Sequence, residues 1–240
     1  NGFEVDAVEL DERMADCAKK YFELDEKVNV NIDDARHFVR CKIAEGRRQK
    51  ENKSHQPLTI NHQPSYSVVV LDAFIGEVNP HHLFTTEFFS EIKQLLSDSG
   101  IFFINGNGFW NGDAGKGMRS VCKTLINSGF DVELVPTSEE EDYRNLLFIA
   151  TPTEGNRGQV TSDMISSLNL DDAILLTDEK PQLEILNAEA VALTDIGNTF
   201  RIRHSETSQI PIGQSEHIDY LFHRLFSFVR LALRSTGRGE

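Results

Sequence analysis

Apolar and polar positions along the first 150 residues alternate between two periods. Phe3 to Leu10 (FEVDAVEL) is rich in apolar and β-branched residues and reads as a strand that ends in carboxylates at Glu9 and Asp11. Asp11 suits the cap of a following helix, in which Met14, Cys17, Ala18, Tyr21 and Phe22 recur at three-and-four spacing and form one stripe. Val28 to Ile32 is a second short strand, and Asp33-Asp34-Ala35-Arg36 opens a second helix through Phe38, Val39 and Ile43. Tyr66 to Phe74 (YSVVVLDAF) has the unbroken apolar character of a strand covered on both faces of a parallel sheet, with Asp72 near its carboxyl end. Thr85 or Thr86 starts a helix carrying Phe88, Phe89, Ile92, Leu95 and Leu96, and Gly100 is expected to stop it before a strand over Ile101 to Asn105. A further helix runs from about Gly115 to Ser128 and ends at Gly129. Phe130 to Val135 and Asn145 to Thr151 are strands joined by the acidic loop Ser138 to Arg144, which is too short for a crossover helix; the pair is therefore antiparallel. The order predicts an α/β domain over residues 1–151 with a terminal hairpin.

Two regions depart from this rhythm. Ala44 to Ser65 carries Arg47, Arg48, Lys50, Asn52, Lys53, Pro57 and Pro64 with little periodicity, and reads as an exposed insertion. Residues 152–240 form an extension of weaker signal: a helix near Ser162 to Leu168, an apolar run from Ala173 to Leu176, and a helix near Pro181 to Ala192. A basic, phenylalanine-rich helix is predicted over His217 to Arg234, packed by its apolar face on its own domain or held for a partner groove or membrane surface.

Composition narrows the function classes. The 240 residues carry a net charge of −14 and are 39% hydrophobic. Lysine and arginine are scattered apart from Arg47 to Lys53 and the stretch beyond Arg224, so nucleic acid is a poor partner. No apolar stretch approaches the roughly 20 residues of a membrane-spanning helix. Cys17, Cys41 and Cys122 are odd in number and have no zinc spacing, which fits reduced thiols in a cytoplasmic protein without a metal. The chain starts at Asn1 with no signal-peptide pattern, as expected of a processed chain or a fragment.

In an open α/β sheet, ligands sit beyond the carboxyl ends of the strands. Glu9, Asp34 and Asp72 follow the first three visible strands and are expected at that edge. A carboxylate after the first strand can accept hydrogen bonds from both ribose hydroxyls, and one after the second can accept from an adenine amino group. Asp11 and Asp34 equally suit helix caps. Asp72 is harder to assign to structure alone, because a charge ending a doubly covered strand is costly unless a cleft or a partner compensates it.

VELDERMADCAKKYF, DDARHFV, YSVVVLDAF, NPHHLFTTEFF with a helix ending before SGIFFIN, and LLTDEKPQLEIL, in this order, resemble the spermidine synthase (polyamine aminopropyltransferase) family. The variant with DAF is similar to spermidine-synthase-like domains of the kind fused to transporter segments. The resemblance covers about residues 3–190. It implies a Rossmann-like methyltransferase-type sheet and binding of decarboxylated S-adenosylmethionine or S-adenosylmethionine. It assigns Glu9 to the ribose, Asp34 and the backbone of Ala35 to the adenine, and Asp72 as general base toward a small-molecule amine, with a homodimer among the possible assemblies.

Two departures go with it. Ile75 stands where the family has a second acid, with Glu77 nearby. The glycine-rich strand and turn expected before Phe3 are missing from the chain, and Asn105-Gly106-Asn107-Gly108 follows the wrong strand to replace them. That strand would lie between the first and third visible strands, so either a longer chain supplies it or another segment fills the gap. Aminopropyl transfer, methyl transfer on the same scaffold, and a catalytically silent binding domain are the three functions these residues allow.

Overall fold

Local capping chemistry sets the helices. A computed structural model describes residues 3–52, 66–74, 79–137, 144–153, 169–193 and 230–236. Strand β1 (Phe3–Glu9) leads into α1 (Glu12–Tyr21), whose first turn is capped by Asp11 accepting from the Arg13 amide and whose last turn carries Lys19 and Lys20 against the helix dipole. Strand β2 (Val28–Ile32) leads into α2 (Ala35–Asn52), capped by Asp34, which accepts from the amides of Arg36 and His37 at 3.0 and 2.9 Å. Strand β3 (Tyr66–Asp72) precedes α3 (Thr86–Leu95), where the Thr85 hydroxyl accepts from the Phe88 amide. Then come β4 (Leu96–Gly108), α4 (Lys116–Asn127), β5 (Phe130–Pro136), β6 (Arg144–Pro152), α5 (Leu183–Leu193) and β7 (Arg230–Thr236). Gly129, with φ of 81°, ends α4 as expected.

The seven strands form one sheet in the order β2-β1-β7-β3-β4-β6-β5. β1 and β2 are parallel, as are β3 and β4, while β6 runs antiparallel to both β4 and β5. The terminal hairpin is therefore as predicted, and the fold is a Rossmann-like sheet of the methyltransferase type. Its core is aromatic: Phe89 and Phe102 rings meet edge to face at 5.8 Å, Phe102 and Phe130 lie 6.0 Å apart, and Phe84, Phe88 and Phe148 are also fully buried.

The gap between the first and third strands is filled by another segment. β7 lies antiparallel between β1 and β3, with Phe3 opposite Thr236 and Asp72 opposite Arg230. This corrects the helix expected over His217 to Arg234. Residues 230–234 are strand, because two neighbouring edges with unpaired amides and carbonyls offer hydrogen bonds on both sides that an isolated helix cannot match. The rest of that predicted helix, and the one near Ser162 to Leu168, lie outside the described residues.

Two other boundaries differ. α2 runs on to Asn52, so the segment from Ala44 to Asn52 is helix and not part of an insertion. Its arginine, lysine, glutamine and glutamate residues are good helix formers, and Arg47 reaches Gln94 of α3 at 3.1 Å. Residues 53–65 lie outside the description. Helix α3 stops at Leu95, five residues before Gly100, and Gly100 belongs to β4. Tyr66 opposes Leu96 while Val68 opposes Ile101, so Ser97 to Gly100 bulge out against Ser67. A Cβ at Gly100 would sit 3.0 Å from the Tyr66 carbonyl oxygen, which is why glycine occupies the bulge. Among the described residues no helix is long and apolar enough to cross a membrane.

Candidate functional site

Parallel strands deliver their carboxyl ends to one edge. Val8 and Leu71 both pair with Leu231 of β7, so Glu9 and Asp72, one residue further along, stand in the same row across β7, about 10 Å apart by strand spacing. Ile32 pairs with Glu9 and places Asp33 and Asp34 just beyond. The structure thus brings Glu9, Asp34, Ala35 and Asp72 to a single edge of the sheet.

Each of these residues is held by neighbours. Glu9 is only 6% exposed; its Oε1 accepts from the Asp11 amide at 3.0 Å, and its carbonyl accepts from the Asp33 amide, tying the ends of β1 and β2 together. Asp34 spends Oδ1 on the cap of α2, and its Oδ2 lies 3.2 Å from His82 Nε2. Ala35 is fully buried in the first turn. The Asp72 Oδ1 accepts from Asn105 Nδ2 of β4 at 3.0 Å. Asp11 is a cap alone, its carboxyl held below the usual range by hydrogen bonds from the Arg13 side chain and amide.

Two asparagines that sequence reasoning passed over complete the edge. Asn79 is fully buried, and its Oδ1 accepts from the Asn107 amide at 3.4 Å. Among the described residues, Asn79 Nδ2 and Asn105 Oδ1 are both buried without a hydrogen-bond partner. Each such orphan costs about 1–3 kcal/mol, so the acceptor left open on the amide that holds Asp72, and the donor left open on Asn79 against Asn107, mark places for polar ligand groups. Asn105 lies in the glycine-rich run that follows the wrong strand for a cofactor loop. That position, at the carboxyl end of β4, is what places its amide against Asp72.

A clamp behind the edge fixes the loop that carries His82. The nearly buried Arg36 guanidinium donates to Asp178 at 2.7 and 2.8 Å, to Glu91 at 3.0 and 3.2 Å and to the His82 carbonyl at 3.3 Å. Asp178 also accepts from the Thr85 hydroxyl at 2.8 Å, and its carboxyl is pulled below the usual range chiefly by Arg36. His81, in the same loop, reaches Glu184 of α5 at 2.8 Å. The NPHHLF and LLTDEKP segments therefore meet through Arg36. A separate hollow of about 260 Å³ is lined by Asp113, Lys116, Asp172, Leu186, Glu189 and Ala190, and includes none of the four predicted residues.

A mixed sheet with polar residues gathered beyond its parallel carboxyl ends is the arrangement in which open α/β sheets bind their ligands. The spermine/spermidine synthase domain matches residues 3–138, more than half of the chain, and the chain belongs to that family. It is 28% identical over 176 residues to the N-terminal histidine N-methyltransferase of Emericella nidulans, covering 70% of this chain and 28% of that protein. It is 34% identical over 103 residues to the polyamine aminopropyltransferase of Vibrio vulnificus, covering 42% of this chain and 29% of that protein. A probable spermidine synthase structure from Corynebacterium glutamicum aligns with 22% identity over 62% of this chain and 47% of that one, with a TM-score of 0.44. The chain thus spans less than a third of the length of these two curated relatives.

Proposed function

We propose that this chain is an aminopropyltransferase-like domain in which Asp72 is the general base toward a small-molecule amine. The observation that carries the reading is the Asp72–Asn105 pair, with the Asn105 Oδ1 left open among the described residues. Decarboxylated S-adenosylmethionine, when bound, supplies a sulfonium-activated carbon open to attack by an amine. The donor set at the edge fits such a group: carboxylates at Glu9 and Asp34 for hydroxyl and amino hydrogens, and open amide atoms at Asn79 and Asn105 for the polar parts beyond. Asp34 would exchange its contact with His82 for the adenine amino group, beside the backbone of Ala35.

At the amine, the Asp72 carboxylate attracts the ammonium form and accepts its proton at the moment of attack. Asn105 fixes the rotation of that carboxyl by donating to Oδ1, and its own Oδ1 is a second acceptor that orients the amine. Asp72→Asn keeps the shape and removes the base. The aminopropyl transfer rate is expected to fall by about 10²–10⁴-fold with an unchanged thermal midpoint, and a rate equal to wild type overturns the assignment.

A second reading, methyl transfer, is favoured by Ile75 in place of the family's second acid and by the methyltransferase among the relatives. Without that acid the far amine of a diamine has no anchor at this position. Calorimetric titration with both sulfonium donors separates the two: tighter binding of the decarboxylated form supports aminopropyl transfer, and preference for S-adenosylmethionine supports methyl transfer.

A further inference from the structure

Asp33, His37 and Cys41 follow one another at four-residue spacing into α2, and so share one face of the helix. His37 Nδ1 lies 2.8 and 2.7 Å from the two carboxylate oxygens of Asp33, and His37 Nε2 lies 3.6 Å from Cys41 Sγ. In the neutral ring, a carboxylate on Nδ1 selects the tautomer that carries its proton on that nitrogen, which leaves Nε2 as an acceptor aimed at the thiol. This is the order nucleophile, base, orienting acid.

The orienting acid is itself anchored. Asp33 Oδ1 accepts from the Asp34 amide at 2.8 Å, and the Asp33 amide donates to the Glu9 carbonyl at 3.0 Å. Asp33 is therefore fixed to the end of β1, while Cys41 is exposed and His37 is 64% exposed, open to a reagent from solvent. The other thiols differ: Cys17 is half-buried on α1, and Cys122 is buried, with burial pushing its thiol up to about 12. Among the described residues no group of three histidine, cysteine or acidic side chains is disposed to hold a metal ion.

We propose that Cys41 is an imidazole-assisted nucleophile that takes low-molecular-weight disulfides and becomes a mixed disulfide on the open face of α2. Sγ attacks one sulfur of the reagent as its proton passes to His37 Nε2. The Sγ–S bond forms, the S–S bond of the reagent breaks, and the other half departs with the electron pair as a thiolate that takes up the proton from the imidazolium. Cys41 is oxidised and the departing half is reduced, so no other oxidant is needed. The step uses none of Glu9, Asp34, Ala35 or Asp72 and stands apart from the transfer reaction.

The test uses the full chain and 5,5′-dithiobis(2-nitrobenzoate), with the modified cysteine identified by peptide mass at timed quenches. Cys41 is expected to react on the order of tenfold faster than Cys17, and His37→Gln to slow Cys41 by a similar factor without changing Cys17. Asp33→Asn is expected to fall between the two, and Cys41→Ser to lose the fast phase. A Cys41 rate in His37→Gln equal to wild type overturns the proposal. If His37→Gln fails to fold, wild-type protein with and without urea decides: faster Cys41 reaction in the folded chain supports the relay, and an equal or slower one overturns it.

Discussion

The sheet differs on the two sides of β7. Toward β5, the strands β3, β4, β6 and β5 carry Val69, Leu71, Phe102, Ile104, Phe130, Val132, Leu146 and Phe148, all fully buried beneath α3 and α4. Toward β2, Val8 of β1 and Ala35 and Val39 of α2 are fully buried among the described residues, while Leu10, Tyr21, Phe22 and Ile32 lie 41–64% exposed. Folding free energy therefore concentrates on the phenylalanine side, since it scales with apolar area removed from water. The thinly packed side holds Glu9, Asp33, Asp34 and His37, where substitutions should alter chemistry more than stability.

The largest expected effect is on the packed side. Phe102→Ala removes a ring wedged between Phe89 and Phe130 and should cost about 3–5 kcal/mol in urea unfolding, whereas Ile32→Ala should stay within about 0.5 kcal/mol. Similar losses at both positions would break the contrast. Next in size is Arg119→Ala in α4. Its guanidinium donates to the carbonyls of Trp110 and Gly112 and pairs with Asp172, so its removal strands two acceptors and is expected to cost about 2 kcal/mol.

Acid should act through the same arginines. The hydrogen bonds of Arg119 and Arg36 hold the carboxyls of Asp172 and Asp178 below the ordinary value of 3.8. A depressed folded-state pKa gives stability that is fully present above that value and is lost as pH falls through the lower folded values. Thermal midpoints are thus expected to decline below about pH 4, and to decline less steeply in Asp178→Asn, which has no carboxylate to protonate there. The smallest effect concerns a bond that joins the two sides. Tyr66 of β3 donates its hydroxyl to Asp6 of β1 at 2.9 Å, past the intervening β7, and Tyr66→Phe is expected to cost about 1 kcal/mol. No change in unfolding midpoint would show that this bond adds nothing to the joining of the two sides across β7.

Features legible in the sequence are those whose cause is local. Asp11 and Thr85 cap their helices because a short polar side chain can reach an amide two or three residues on, and Gly129 ends α4 because its backbone turns left-handed. The antiparallel pairing of β5 and β6 followed from a connection too short for a crossover. Boundaries failed where distant partners decided them: Leu96 leaves the helix to oppose Tyr66, and α2 continues past Ala44 while reaching Gln94 of α3. The candidate site was legible in the same measure. Asp72 could be placed at the end of a buried strand, but Asn79 and Asn105 carry no periodic signal, and their value lies in atoms left unpaired after folding.

Alone, the sequence determined the alternation of strands and helices, the edge at which Glu9, Asp34 and Asp72 gather, and the membership of a family, because period and spacing are properties of neighbours along the chain. Only the tertiary structure decided that residues 230–236 become the strand between β1 and β3, that Arg36 binds Asp178 across 142 positions, and that Asn105 holds Asp72. The reason is that unpaired sheet edges and buried charges exist only in the assembled fold, and a segment of weak local preference takes the conformation that satisfies them.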